Sequence, residues 1–248
     1  MKLYGLIGYP LEHSASPDFF RRKFEEEDIH DADYRLFPIK EITELPRLVA
    51  EHPDLAGFNV TSPYKQAVIP YLTHTDNAAA TIGAVNTVKV VRENGRTELY
   101  GYNTDYIGFA ESLLEVMTRT PKRALVLGTG GGARAVTYAL TGLHTVVTTV
   151  SRTPGRGALT YRDLTAEVVK NNILIVNATP LGMHPATDGC PDFPFEWLTG
   201  RHFLYDLIYN PVETEFLRQG RLRGAETCNG LSMLRYQAEA AWTVWRNQ

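Results

Sequence analysis

The sequence predicts an α/β protein of two domains, and three observations carry that reading. Apolar runs alternate with helix-forming segments along the whole chain, the mark of βα units and a largely parallel sheet. A glycine-rich turn, Gly128-Thr-Gly-Gly-Gly-Ala133, follows an apolar run and precedes a helical one. Such a turn lets backbone and helix N-terminus approach a dinucleotide pyrophosphate. It begins halfway along 248 residues, so a domain-sized segment precedes it.

The elements follow in order. Leu3–Gly8 is an apolar run of strand length, and Ser16-Pro17 opens a helix running to about Ile29. Tyr34–Ile39 is a second strand, followed by a helix weakened by Pro46. Leu55–Val60 is a third strand, leading into helical stretches near Tyr64–Leu72 and Asn77–Ile82. Val85–Val91 and Thr97–Tyr102 flank Asn94-Gly95, a pair suited to a hairpin turn with positive φ at both positions. That antiparallel hairpin closes the first domain. Asn103-Thr104-Asp105 caps a helix to about Met117 that crosses to the second. There the strands are Ala124–Leu127, Thr145–Val150, Ile173–Asn177, Phe203–Leu207 and Ala225–Thr227. The last segment, Leu231–Arg246, is an amphipathic helix with Leu231, Leu234, Ala238, Ala241 and Trp245 as its apolar stripe. Periodicity leaves open which domain that stripe packs on.

Composition narrows the function classes. At 44% hydrophobic and 21% charged, the chain is an ordinary globular protein. A net charge of −3 offers no basic surface for nucleic acid or anionic membrane, although one local pocket suffices for a small anionic substrate. The longest uncharged span, Ala135 to Ser151, is too short for a membrane helix and is broken by Thr, Gly and His. The N-terminal apolar run is ended by Glu12-His13 and does not read as a signal peptide. Cys190 and Cys228 are too few for a disulfide framework, so a cytoplasmic enzyme is expected. The seven histidines show no metal-ligand spacing, and no metal is implied.

Five polar groups of residues could carry chemistry. About twenty residues beyond the glycine turn stands Ser151-Arg152-Thr153, where an NAD-binding chain carries an acid for the ribose hydroxyls. A guanidinium with two hydroxyls suits a 2′-phosphate, so the sequence reads as NADP-binding. At the end of the first strand lies His13-Ser14-Ala15-Ser16-Pro17. Ser16 has a plain explanation as N-cap, whereas Ser14 has none; together their hydroxyls, beside a helix N-terminus, form a carboxylate site. At the end of the third strand lies Asn59-Val-Thr-Ser-Pro-Tyr-Lys65. Lys65 falls in the first turn of a predicted helix, where the dipole disfavours a cation and primes it for proton transfer, unless a carboxylate restores the balance. Gly101-Tyr-Asn-Thr-Asp105 supplies such a carboxylate, because only one of its polar residues serves as the cap. Asn86-Thr87 adds an amide suited to a substrate hydroxyl or, equally, to a bland turn.

With these residues in view, the chain resembles the shikimate dehydrogenase family from Gly8 almost to its C-terminus. The resemblance runs through Gly8-Tyr-Pro-Leu-Glu-His-Ser-Ala-Ser-Pro17, Gly57-Phe-Asn-Val-Thr-Ser-Pro-Tyr-Lys65, Gly83-Ala-Val-Asn-Thr87 and Gly101–Asp105. It continues through the glycine turn, Ser151-Arg-Thr153, Asn177-Ala-Thr-Pro-Leu-Gly-Met183, Tyr205-Asp-Leu-Ile-Tyr-Asn-Pro211 and Asn229-Gly-Leu-Ser-Met-Leu-Arg-Tyr-Gln237. It implies a mainly parallel substrate domain at 1–104 and 230–248, with the last helix returning to it, and an NADP-binding Rossmann domain at 105–229.

The resemblance also implies roles. Ser14 and Ser16 would hold a substrate carboxylate with Tyr209 nearby; Thr61, Asn86, Asp105 and Gln237 would bind ring hydroxyls; Lys65 and Asp105 would be the catalytic pair. Gly128, Gly130, Gly131, Gly132 and Ala133 would line the pyrophosphate of NADP(H). Ser151, Arg152, Thr153 and Arg156 would meet the 2′-phosphate, and Thr179, Met183 and Gly230 would complete the cofactor site. The implied reaction is NADPH-dependent reduction of 3-dehydroshikimate to shikimate by a monomer or homodimer.

Some positions depart from the family pattern. Phe19-Phe20 replace His-Asn, a change of packing; Ser151 replaces Asn; Gly132 stands where Ala is frequent; Pro154-Gly155 leave the aim of Arg156 open. Alternatives are a quinate-using relative, a folate-linked dehydrogenase of the same two-domain plan, and a non-catalytic NADP-binding paralogue. The folate-linked enzyme would lack the Ser14/Ser16 and Asn86/Asp105 set, and the paralogue has no reason to keep Lys65 with Asp105.

Overall fold

The computed structural model describes residues 1–156 and 158–247. Gly157 and Gln248 lie outside the described residues, so the expected 230–248 segment is followed to Asn247. Two compact units result, one of Met1–Thr104 with Ala238–Gln248, the other of Asp105–Gln237. Where the expected division returns the chain at Gly230, its contacts return it at Ala238, inside the last helix.

The first unit contains β1 (Lys2–Gly8), α1 (Ser16–Glu26), β2 (Ala32–Pro38), α2 (Leu45–Glu51), β3 (Leu55–Val60), β4 (His74–Thr75), α3 (Asn77–Ile82), β5 (Thr87–Glu93) and β6 (Arg96–Tyr102). They form a six-stranded sheet ordered β2-β1-β3-β5-β6-β4. The β1 strand is parallel to both neighbours, and β5 is antiparallel to β3 and β6. Burial on both faces explains the unbroken apolar run of β1. Leu3 and Ile7 enter a core with Phe37, Leu45 and Phe58, whereas Tyr4 and Leu6 pack with Phe20, Phe24, Trp242 and Trp245.

Trp245 secures the chain's return. Its indole stacks on Tyr4 at 4.8 Å, donates to the Val88 carbonyl at 3.0 Å and lies where a side chain at Gly57 would be. Lys23, only 6% exposed, bridges Glu27 at 2.5 Å and Glu239 at 2.6 Å.

In the second unit are α4 (Asp105–Val116), β7 (Arg123–Leu127), α5 (Gly131–Gly142), β8 (Val146–Ser151), β9 (Leu159–Thr160), α6 (Ala166–Asn171), β10 (Leu174–Asn177), β11 (Phe203–Asp206), α7 (Glu215–Arg221) and β12 (Glu226–Cys228). The last helix, α8 (Leu231–Arg246), begins in this unit. Its sheet is wholly parallel, ordered β12-β11-β10-β7-β8-β9. Alternation along β7 sends Ala124 and Val126 to one core, Leu125 and Leu127 to another. No helix among the described residues is long and apolar enough to cross a membrane.

Several expectations need correction. Pro46 opens α2 rather than weakening it, because it sits in the first turn, where no N–H is required. No α-helix forms over Tyr64–Leu72; only Ile69–Tyr71 makes a 3₁₀ turn. The Lys65 carbonyl, which a helix would give to Ile69, accepts instead from the Val85 N–H at 2.7 Å, and Ile69 turns to Gln66. The stripe of α8 holds at Ala238, Ala241 and Trp245, which are buried together with Met233 and Trp242, with Leu234 half-buried; Leu231, at the helix start, is exposed. The hairpin is as expected, with Asn94 at φ 51° and Gly95 at φ 74°.

Candidate active site

In the first unit, the predicted ligands cluster at the C-terminal ends of β1 and β3. Ser16 is not the N-cap. Ala15 occupies that position in helical conformation without a side-chain cap, and Ser14 lies one residue earlier. The Ser14 hydroxyl accepts the Ser16 N–H at 3.3 Å, which gives Ser14 the local role that the sequence left open. Thr61 is tied to β1 by its N–H, which donates to the Ile7 carbonyl at 3.0 Å. Two backbone bonds then join the segments carrying Lys65 and Asn86: Val85 N–H to Lys65 carbonyl at 2.7 Å, and Val60 N–H to Asn86 carbonyl at 2.8 Å. With no helix beginning at Tyr64, a helix dipole plays no part at Lys65.

A buried neutral network underlies these residues. The Asn86 side-chain oxygen accepts from the Thr104 N–H at 2.6 Å, and its Nδ2 donates to the Thr104 hydroxyl at 3.0 Å. Its oxygen is thereby committed to the Thr104 segment. Thr87 and Thr104 share a hydroxyl bond at 3.0 Å. Asn59 donates to the Thr87 hydroxyl at 3.2 Å and accepts from the Tyr34 hydroxyl at 2.9 Å. The Tyr34 ring stacks on Phe20 with centroids 4.3 Å apart. Burial pushes the Tyr34 hydroxyl far up, opposed only in part by a hydrogen bond with the Ser16 side chain.

The second unit carries the predicted cofactor residues, together with Asp105, Tyr209 and Gln237. Thus Lys65 and Asp105 belong to different units. Gly128 has φ +115°, and a side chain there would lie 3.0 Å from the Ala178 carbonyl. Gly130 precedes α5 with no side-chain cap, and a Cβ built on it meets nothing within 4 Å. An uncapped helix N-terminus beside open space at a glycine is what a pyrophosphate requires, so these residues fit NADP(H). Gly132 faces Leu207, and Ala133 is buried. At the end of β8, the Ser151 hydroxyl accepts the Thr153 N–H at 3.1 Å, while Arg152, Thr153 and Arg156 are exposed.

Thr179 is held by the Asn177 side-chain oxygen through its N–H at 3.0 Å and its hydroxyl at 2.7 Å. Met183 follows Gly182, whose φ is +95°, and is 48% exposed. Gly230 has a packing reason of its own, since a Cβ there would fall 2.1 Å from the Leu207 carbonyl oxygen. Asp105 begins α4 and is buried, and Gln237 donates to the Leu234 carbonyl at 3.0 Å. Asp206 is fully buried; burial pushes its carboxyl up to about 6 against bonds from Thr214, Ile208 and Asn177.

Sequence reasoning named the ligand positions and gave Thr104 a capping role, but assigned no role to Tyr34, Thr87 or Asp206. Thr87 and Asp206 stand at strand ends, and their roles became specific only once strand register set Thr87 opposite Asn59 and Asp206 opposite Asn177.

Known proteins show the same pattern. A family profile described as "Shikimate dehydrogenase substrate binding domain" matches residues 6–88. A shikimate dehydrogenase (NADP(+)) of Desulforamulus reducens is 41% identical over 97% of this chain and 88% of its own length. Shikimate 5-dehydrogenase of Thermus thermophilus, solved with NADP(H) and shikimate, superposes with a TM-score of 0.87 at 32% identity, covering 99% of this chain and 94% of that one. Quinate dehydrogenase of Corynebacterium glutamicum, solved with NAD, gives 0.85 at 29% identity, covering 99% and 93%.

Proposed function

The chain belongs to the shikimate dehydrogenase family, and we propose that it catalyses the reversible NADPH-dependent reduction of 3-dehydroshikimate to shikimate, the reaction that serves chorismate and aromatic amino-acid biosynthesis. One observation carries the reading at residue level. Backbone bonds bind the Lys65 segment to the Asn86 segment, so a cation and a hydroxyl-binding amide are held in one framework.

NADPH, when bound, supplies the hydride. The residues of the chain do the rest. Ser14 and Ser16, with Tyr209, bind the carboxylate through neutral hydroxyls. Thr61, Asn86, Asp105 and Gln237 bind the ring hydroxyls, Asn86 as donor and Asp105 as acceptor. Lys65 and Asp105 form the catalytic pair. The Lys65 ammonium serves the oxygen on which negative charge develops, whether by donating a proton or as a fixed charge. Gly128, Gly130, Gly131, Gly132 and Ala133 receive the pyrophosphate, and Ser151, Arg152, Thr153 and Arg156 the 2′-phosphate. Thr179, Met183 and Gly230 complete that site. The enzyme works in the cytoplasm as a monomer or homodimer, a setting in which Cys190 and Cys228 stay as free thiols.

Initial rates with shikimate and quinate, each with NADP⁺ and NAD⁺, test the reading. Fast turnover is expected only for shikimate with NADP⁺. Comparable rates on quinate would replace it with a broader quinate/shikimate dehydrogenase, and cofactor binding without turnover of either substrate would point to a non-catalytic paralogue.

A further inference from the structure

Asp206 takes no part in the reaction proposed above, yet it sits where two ligand-bearing segments leave the sheet. It ends β11, and its register partner Asn177 ends β10. Both side chains are shut off from solvent. The two Asp206 oxygens accept from Asn177 Nδ2 at 3.1 and 3.2 Å, from the Thr214 hydroxyl at 2.6 Å and from the Ile208 N–H at 3.0 Å. An amide whose NH₂ is gripped by a carboxylate can face only one way, with its oxygen turned outward. That oxygen holds Thr179 through both N–H and hydroxyl. The Ile208 N–H, in turn, immediately precedes Tyr209, and the Ile208 carbonyl accepts from Gly230 at 3.0 Å.

We propose that Asp206 is a positioning residue for the ligand-binding end of the second unit. Through Asn177 it sets the Thr179–Met183 turn toward the cofactor, and through Ile208 it sets the strand exit that carries Tyr209. The inference rests on the reading of this unit as NADP-binding. Chemistry explains why the residue is an acid. A carboxylate accepts on both oxygens, whereas an amide in its place would turn an NH₂ against a donor. No cation contributes to its ionisation, which burial opposes and the Thr214, Ile208 and Asn177 bonds favour. The titratable groups that feel its charge are the Cys190 thiol and the Tyr205 phenol, both raised chiefly by burial; Glu215 faces Cys190 from α7.

The test measures NADP⁺ affinity by calorimetry for the wild type and Asp206→Asn at about pH 8 and about pH 5.5, with steady-state rates alongside. At the higher pH the variant is expected to bind NADP⁺ roughly 10-fold more weakly, the loss of a charge-assisted bond, with the defect in KM for NADPH and kcat within about threefold. Wild-type affinity should drop toward that of the variant at the lower pH. The ligand's own 2′-phosphate titrates in both experiments, so the difference between the two proteins isolates Asp206. Should the variant not fold, wild-type amide protection factors at Thr179–Met183 replace it: they should fall at the lower pH, and uniform protection overturns the proposal. Equal affinities of wild type and variant, or a lowered Tm with unchanged KM, overturn it and leave the NADP reading standing. Failure of the wild type to bind NADP⁺ removes both.

Discussion

In the first unit, the side chains beneath the proposed substrate site are all neutral: Tyr34, Asn59, Asn86, Thr87 and Thr104 pass hydrogen bonds from one to the next, all of them buried. The corresponding place in the second unit, the ends of β10 and β11, is organised by one carboxylate, Asp206. A neutral network keeps its geometry wherever its members do not titrate, and the Tyr34 hydroxyl is pushed far from the physiological range. A network built on an acid poised at about 6 does not. On the proposed roles, the network beneath the substrate site has no acid among its side chains, whereas the one beneath the cofactor site is centred on the buried Asp206 carboxyl, and the two should differ in their response to pH.

The sharpest way to break this picture is Lys65→Ala. If the first unit is a neutral scaffold around one working charge, the substitution removes the chemistry and leaves the scaffold. We expect kcat to fall by about 10³-fold or more, with NADP⁺ affinity by titration within about twofold of the wild type. Near-normal turnover would mean that the neutral framework carries catalysis itself. Next in size is Arg152→Ala, which probes charge in the second unit away from Asp206. NADP⁺ binding should weaken by roughly 10–100-fold and NAD⁺ binding hardly at all, and the difference should shrink at high salt because Arg152 is exposed. Equal losses for both nucleotides would remove the 2′-phosphate assignment.

A third prediction concerns folding. The Asp206 carboxyl is raised from 3.8 to about 6 by burial, so the folded protein binds its proton more tightly than the unfolded chain does. The stability this contributes is fully present below the unfolded value and is lost as pH rises through about 6. Stability should therefore fall by about 1 kcal/mol between pH 5 and pH 7.5, read as the urea midpoint at constant m. Glu213, Glu215 and Asp163 are shifted downward by their hydrogen bonds and act below this window. The same titration on Asp206→Asn should be flat. A flat wild-type profile would show that Asp206 does not titrate there and would erase the contrast between the units.

Much of this was legible in the chain. The β1 strand shows as an apolar run and β3 as one interrupted only by Asn59, Asn94-Gly95 has the φ angles its composition demands, and α8 keeps the expected limits. Other features depended on distant partners. Tyr64–Leu72 has helical composition, but Val85, far along the chain, captures the Lys65 carbonyl. In α8 the stripe packs against Tyr4 and Phe20 from Ala238 to Trp245, whereas Leu231, on the same face at the helix start, has nothing to cover it. The β9 strand is only two residues long and has no period to detect. Among site residues, Ser14, Thr61, Lys65 and Asn86 stood out as reactive types at strand ends. Asp206 did not, because its meaning comes from its register with Asn177.

The smallest predicted effect sharpens the comparison most. Tyr34→Phe keeps the ring stacked on Phe20 and deletes one hydroxyl, leaving the Asn59 side-chain oxygen without the donor that meets it at 2.9 Å. A buried acceptor left in that state costs about 1–2 kcal/mol, measurable as a lowered urea midpoint. Asn59 retains its donor bonds to Thr87 and the Asn86 carbonyl, so the segment carrying Asn86 stays in place. Ser16 loses its hydrogen-bond partner, and KM for shikimate should rise by about two- to fivefold, with kcat nearly unchanged because Lys65 is untouched. That rise should be the same from about pH 5.5 to about pH 8, since no member of the network changes charge there. The constancy is the decisive feature. If the Tyr34→Phe defect in KM varied with pH as the Asp206→Asn defect in NADP⁺ binding is expected to, the two frameworks would not differ in kind, and the neutrality of the first would be incidental to how it works.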